Sequence, residues 1–250
     1  MQPATFNHNQ MKTLPTFHPS TPHILIEGGV EFHLGKMKGD TINYDFDKML
    51  IYLNAKGKLL FGKEFKIYQE DYQIIYHLCL YFIQDEVNCP KFNIDPTKGI
   101  LLSGPVGCGK TTLMKLMRHL VPHRRPYHII PTRNIVFGFN NLGYSIIEQY
   151  GNSHFYCFDD LGVEPEGKYF GKDCNVMGEI LLSRHELFLK YPVLERRSLS
   201  GSKGSRGVTH ITTNLNAEEI EDRYGNRVRS RLREMVNVIG FDKNTKDKRK

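Results

Sequence analysis

The sequence holds no apolar run long enough to span a bilayer, and its opening Met1-Gln-Pro-Ala-Thr-Phe lacks the basic and apolar stretches of a secretory signal. A cytoplasmic location with no membrane partner is the expectation. There is no C-x-x-C pair. The five cysteines (Cys79, Cys89, Cys108, Cys157, Cys174) are odd in number and irregularly spaced, so they read as reduced, mostly structural thiols rather than a disulfide framework or a metal site. No H-E-x-x-H occurs, and the eleven histidines read as surface or packing groups. The guanine signature N-K-x-D is missing, which counts against a GTPase, and no internal repeat is visible.

What remains is an ordinary globular composition. The chain has 250 residues, 40% hydrophobic and 24% charged, enough for one substantial core with an appendage at one end. The net charge of +7 suggests a polyanionic partner such as single- or double-stranded DNA. Part of that charge lies in residues 243–250, which read as a solvated basic tail.

The most informative stretch is Gly104-Pro-Val-Gly-Cys-Gly-Lys110-Thr111, which fits G-x-x-x-x-G-K-[ST]. The apolar run Gly99–Ser103 before it reads as a buried strand. Leu113, Leu116, Met117 and Leu120 behind it recur at helical spacing until Pro122. Strand, glycine loop and helix form a cradle for a nucleoside triphosphate. Gly104, Gly107 and Gly109 permit the backbone turns and close approaches that let loop amides face phosphate oxygens. Gly104, Pro105, Val106, Gly107, Cys108, Gly109, Lys110, Thr111 and Thr112 are therefore the expected nucleotide-binding residues, for ATP with Mg²⁺. Lys110 would meet the β- and γ-phosphates, and the Thr111 hydroxyl would serve the metal.

Three further motifs fall at strand ends. Phe155-Tyr-Cys-Phe runs into Asp159-Asp160, 49 residues beyond Lys110. Asp159 is expected to hold Mg²⁺ with Thr111, and Asp160 to orient or deprotonate the attacking water. Val208–Thr213 ends at Asn214, which can donate and accept at once and so suits phosphate sensing; Asn216, with Glu219 three residues on, takes the role of helix cap. In Arg227-Val-Arg-Ser-Arg231-Leu-Arg-Glu-Met235 four arginines fall in seven residues, with Arg227 and Arg231 on one face. A solvated basic face and an arginine finger for a neighbouring subunit are equally compatible with that spacing.

Along the chain, residues 1–22 are polar with four prolines and read as a disordered tail. Residues 23–62 suggest a small β appendage with strands at 24–26, 30–34 and 49–53, and 63–98 a helical linker with its helix at 69–86. From 99 to 242 strands (99–103, 127–130, 155–158, 208–213, 236–240) alternate with helices (110–120, 133–150 broken near Gly143, 174–190, 217–224, 226–234). The fold class expected is α/β, a five-stranded parallel sheet with helices on both faces and ligands at the carboxyl ends of the strands. Residues 163–173 could form a mobile loop near the γ-phosphate or a plain connection. Residues 196–207 could be a basic loop on phosphates or merely solvated. Neither segment is read as offering aromatics for base stacking.

Residues 99–240 resemble the AAA+ ATPases, and within them the DnaC/IstB branch of helicase loaders and transposition ATPases. The resemblance rests on Gly104–Thr111, Phe155–Gly162, Thr212-Thr-Asn-Leu215 and Tyr224–Met235, in that order. It implies Walker A and Walker B for the first two, sensor 1 for Asn214 and a trans-acting finger for Arg231, with Arg227 a companion basic residue. It also implies hydrolysis between subunits of a homo-oligomer on DNA, with a replicative helicase or a transposase as partner. Asp160 stands where many such proteins have Glu, and its shorter arm bears on the hydrolysis rate. The sequence leaves no room after 240 for a helical lid with its sensor-2 arginine. A monomeric P-loop kinase and a non-hydrolysing ATP-dependent scaffold are the rival readings.

Overall fold

The computed structural model describes residues 15–123, 126–152, 154–190 and 207–249. Residues 196–206 of the expected basic loop and most of the expected N-terminal tail fall outside the described residues. Contacts group the chain into two compact units, Met1–Tyr72 with Leu116–Pro126, and Gln73–Lys115 with Tyr127–Lys250. Residues 116–126, expected within the core, group with the first unit.

In the first unit β1 (Thr16–Phe17), β2 (Ile24–Glu27) and β3 (Val30–His33) form an antiparallel sheet, and β4 (Gly35–Lys38) pairs with β5 (Thr41–Tyr44). Thr16 and Phe17 are thus paired with β2, although they fall in the stretch expected to be disordered. The expected strand 49–53 is instead part of helix α1 (Phe46–Phe61). The Asp45 side chain accepts from Lys48 N at 3.2 Å, and Asp47 adds negative charge to the first turn. Met49, Tyr52, Leu53, Lys56 and Gly57 then recur on one buried face. Five apolar residues in a row fit either element by themselves, and the cap decides. Lys56, itself buried, reaches Glu27 at 2.8 Å, and Tyr52 stacks edge-on to Phe32.

In the second unit helix α2 (Tyr72–Ile83) precedes β6 (Gly99–Ser103), helix α3 (Lys110–Met117) and β7 (His128–Pro131). There follow α4 (Thr132–Leu142), α5 (Ser145–Tyr150), β8 (Tyr156–Leu161), a hairpin of β9 (Gly167–Tyr169) and β10 (Lys172–Cys174), and α6 (Val176–Lys190). The last elements are β11 (Thr209–Thr213), α7 (Ala217–Tyr224), α8 (Asn226–Met235) and β12 (Val236–Gly240). Five strands lie parallel in the order β12-β6-β11-β8-β7, so β6 and β8, which carry the loop and the carboxylates, flank β11. This is the α/β architecture of a P-loop NTPase.

Helices cover both faces. On one, Leu101, Phe158, Ile211 and Val236 pack with Ile135 and Phe139 of α4, Ile180 of α6, Ile220 of α7 and Leu232 of α8. On the other, Tyr81 and Phe82 of α2 and Tyr127 gather around His210, and the Tyr127 hydroxyl donates to Met114 O of α3 at 2.5 Å. His210 is wholly buried, so desolvation lowers its pKa from 6.5 to about 3. Its Nδ1 accepts from Ile100 N at 3.2 Å. Arg184 of α6 is also buried. It donates to Thr209 Oγ1 and to the carbonyls of Tyr150, Asn152, His154 and Val208, tying α6 to two other chain segments.

All five cysteines are free. Among the described residues no helix is long and apolar enough to cross a membrane. Residues 163–173 hold paired strands that neither expectation for this segment included. They form the β9–β10 hairpin, docked on α4 by Tyr169 against Phe139 and by Lys168 N donating to Asn140 Oδ1 at 2.7 Å. Phe170, 89% exposed, stands at its tip between Lys168 and Lys172. An aromatic among lysines was therefore present where none was read. Its availability depends on Tyr169, not Phe170, being the ring that docks.

Candidate functional site

β6 delivers the chain to the site as a fully buried Ile100-Leu-Leu strand paired on both edges, ending at Ser103 at the carboxyl end of the sheet. The loop turns through Gly107 (φ +80°) and Gly109 (φ +105°), a region open to glycine at little steric cost, and enters α3 at Lys110. The first amides of α3 have no intrahelical acceptor, so the helix presents donors and partial positive charge to the loop's interior.

Lys110 is buried and turned back into the loop. Its Nζ donates to Gly104 O at 2.7 Å, Pro105 O at 2.8 Å and Asn214 Oδ1 at 2.5 Å. Desolvation lowers its pKa from the usual lysine value, and the Arg249 charge adds to this, while Cys108 and Asp160 oppose it. Asn214 is thus brought from the end of β11 to the loop lysine. The cap of α7 belongs to Asn216, which exchanges hydrogen bonds with Glu219 in a capping box.

Thr111 Oγ1 donates to Asp159 Oδ1 at 2.8 Å, and Thr212 Oγ1 donates to the same oxygen at 2.7 Å. A hydroxyl and a carboxylate side by side are oxygen donors of the kind that Mg²⁺ takes, so these residues fit that ion. Asp160 is strained. Its φ of +56° is unusual for a residue with a Cβ, and the β8–β11 register slips beside it. Three bonds hold it there: its N–H donates to Thr212 Oγ1 at 2.8 Å, while its carbonyl accepts from Thr132 Oγ1 at 2.9 Å and Val163 N at 3.3 Å. Burial raises the pKa of its carboxyl, Asp159 adds to that, and Lys110 and Arg249 pull it back. Strain and burial at a carboxylate in such a place are features of working sites.

Two supports went unread in the sequence. Thr212 joins both aspartates, and its signal was the run of threonines closing β11. Glu164, also buried, accepts from Gly162 N at 2.9 Å and bonds the Tyr224 hydroxyl, pinning the turn after Asp160 to α7. Nothing local in the sequence marks that contact.

Arg231 is not brought to this cluster. Val228, Leu232 and Met235 are buried as expected, and Arg227 is exposed. Arg231 pairs with Glu234 at 3.3 Å, and Glu234 in turn meets His185 at 2.7 Å. α8 runs back toward the start of β6, since Val236 pairs with Gly99, and so carries Arg231 away from the loop. Residues 243–249, expected as a solvated tail, are held on the loop: Lys248 N donates to Gly107 O at 3.0 Å.

No family model matches the chain, and no curated protein matches it. Among solved structures it is similar to the DnaC helicase loader, with 17% identity, a TM-score of 0.48, and 72% of this chain and 94% of that chain covered. It is likewise similar to a candidate primosome component from Streptococcus pyogenes serotype M3, with 16% identity, a TM-score of 0.45, and coverage of 72% and 83%.

Proposed function

We propose that this chain binds Mg-ATP on residues 104–112 and hydrolyses it as an AAA+ ATPase of the DnaC/IstB type. It would act on DNA and a protein partner, helicase loading being the first reading and control of transposition the second. The observation that carries the nucleotide reading is the convergence of three motifs distant in sequence: Lys110 on Asn214 at 2.5 Å and Thr111 on Asp159 at 2.8 Å. The biological role rests on the order of the motifs, not on the site.

Lys110 would exchange its bonds to Gly104 O and Pro105 O for the β- and γ-phosphates. Its cost of burial as a cation is offset by a polyanion beside it. Asn214, already bonded to Lys110, would follow that movement and register the γ-phosphate. Thr111 and Asp159 would hold Mg²⁺, which neutralises charge between the β- and γ-phosphates. Asp160, fixed through Thr212 and Thr132, would orient the attacking water; burial favours its taking the proton. Arg231 would serve a neighbouring subunit, since its own helix carries it away from Lys110.

Calorimetry with Mg-ATP on Lys110→Ala and Arg231→Ala, alongside ATP turnover, tests this. Lys110→Ala should lose saturable binding. Arg231→Ala should bind normally and lose roughly 10³-fold in turnover. Unchanged binding by Lys110→Ala rejects the site; unchanged turnover by Arg231→Ala rejects hydrolysis between subunits.

A further inference from the structure

The segment after β12 stays with the sheet. Phe241 N donates to Ser103 O at 2.8 Å, and the Phe241 side chain is buried against Gly104, where an added Cβ would come within 2.7 Å of Phe241 Cβ. Asp242 then turns the chain, its carboxylate accepting from Asn244 N at 2.7 Å and its carbonyl from Thr245 N at 3.0 Å. Lys248 meets the glycine loop twice. Its N–H donates to Gly107 O at 3.0 Å and its Nζ to Cys108 O at 3.2 Å, with the ammonium 5.3 Å from the Phe241 ring centroid. Beside it the Asp247 carboxylate fills the space that a side chain at Gly107 would need. That carboxylate accepts from Arg249 N at 2.9 Å and lies 3.9 Å from Arg249 Nε, so its charge is met within the segment.

The carbonyl and the amide of one trans peptide unit point in opposite directions, and no cis peptide occurs among the described residues. Gly107 O and Cys108 O face Lys248. The amides of the same two units, Cys108 N–H and Gly109 N–H, therefore face away from it. Cys108 N–H shows where that is: it is directed to Pro105 O at 3.5 Å, the oxygen that Lys110 Nζ reaches at 2.8 Å. Lys248 thus holds the loop from outside, while these amides point to the interior that holds Lys110. Gly104, Gly107 and Gly109 have wide backbone freedom, so a loop without tethers has to be ordered when a ligand binds. Tethering two of its carbonyls removes that cost beforehand. A cation on a carbonyl also polarises its peptide unit and strengthens the amide at the other end as a donor.

We propose that Lys248 is a positioning residue for the phosphate loop: bound to the Gly107 and Cys108 carbonyls, it aims the amides of Cys108 and Gly109 at the phosphates of a bound nucleotide. The proposal rests on the phosphate-loop reading and adds a residue that no motif in the sequence assigns. Lys248 itself touches no phosphate. Loop amides cradle the α- and β-phosphates, which a diphosphate and a triphosphate share, so both nucleotides depend on it alike.

Calorimetric titration with Mg-ATP and with Mg-ADP tests this on the full chain, on Lys248→Met and Lys248→Arg, and on a chain lacking residues 247–250. Lys248→Met keeps the stem and removes the Nζ donor. It should weaken both nucleotides about tenfold, the low end for a hydrogen bond to a charged group. Lys248→Arg restores a donor and should recover most of that loss. The shortened chain also gives up the bond to Gly107 O and should bind both nucleotides more weakly than Lys248→Met. Lys248 is half-buried, so the melting midpoint of nucleotide-free Lys248→Met should stay within about 2 °C of wild type. Wild-type affinity in Lys248→Met and in the shortened chain overturns the proposal. A lower midpoint with unchanged affinity does the same, marking a contact that only adds stability. So does a loss confined to Mg-ATP, which would put the side chain on the terminal phosphate, and so does a loss that Lys248→Arg fails to recover. Wild-type protein that binds neither nucleotide overturns the phosphate-loop reading as well, an outcome distinct from normal wild-type binding with indifferent variants.

Discussion

Thr212→Val removes one hydroxyl from a fully buried side chain and, with it, the link between the two aspartates. In the wild type Thr212 Oγ1 donates to Asp159 Oδ1 at 2.7 Å and accepts from Asp160 N at 2.8 Å. The first bond is to a carboxylate and contributes about 1.5–3 kcal/mol. Losing the second orphans a buried amide, at a cost of about 1–3 kcal/mol. Asp159 keeps its bond to Thr111, which limits the damage on that side. The sum is about 2.5–6 kcal/mol against a total stability of about 5–15 kcal/mol, so the variant should melt early. At about 2–4 °C per kcal/mol for chains of this size, the midpoint should fall by roughly 10 °C. Thr212→Ser keeps the hydroxyl and gives up a methyl, about 1 kcal/mol, so most of the loss should be recovered. Thermal melting by circular dichroism of wild type and both variants measures this. A Thr212→Val midpoint within about 2 °C of wild type would refute the idea that this hydroxyl holds Asp160 at its positive φ.

Acid should weaken the second unit through His210. Its folded pKa of about 3 lies below its unfolded value of 6.5, so above 6.5 both states are neutral and nothing is lost. As pH falls below 6.5 the unfolded chain takes up a proton that the folded chain refuses, and about 1.4 kcal/mol is lost per pH unit until about 3. Urea unfolding between pH 7 and 4.5 should show a shallower pH slope for His210→Asn than for wild type, and identical slopes would sink the assignment. Arg184→Met keeps the stem but removes the guanidinium donor from the carbonyls of Tyr150, Asn152 and His154, while Val208 O keeps its bond from Tyr156 N at 3.1 Å. It should cost at least about 3 kcal/mol, read as a drop in the urea midpoint; a wild-type midpoint would show that water satisfies those carbonyls equally well.

Much of the site was legible before the structure because its rules are local. A glycine loop at fixed spacing, an apolar strand ahead and helical periodicity behind all lie within the consecutive residues Gly99–Leu120. The burial of Val228, Leu232 and Met235 follows from periodicity within α8, as the capping box follows from Asn216 and Glu219. The misreadings were local ambiguities that tertiary contacts resolve. Met49–Leu53 fits a strand or a helix, and β3 together with the Asp45 cap selects the helix. Tyr169 and Phe170 are adjacent aromatics, and only packing on α4 sorts which is buried and which presented.

The sequence by itself determined where a phosphate could be cradled and which side chains could serve it, because backbone torsion and periodicity are written in neighbouring residues. The tertiary structure decided that β11 lies between β6 and β8, and so that Thr212 and Asn214 meet Asp159 and Lys110. It alone bends Asp160 to a positive φ and folds residues 241–249 over Gly107. Such placements depend on which distant segments close on one another, a balance of chain entropy against burial and pairing that no short stretch of residues contains.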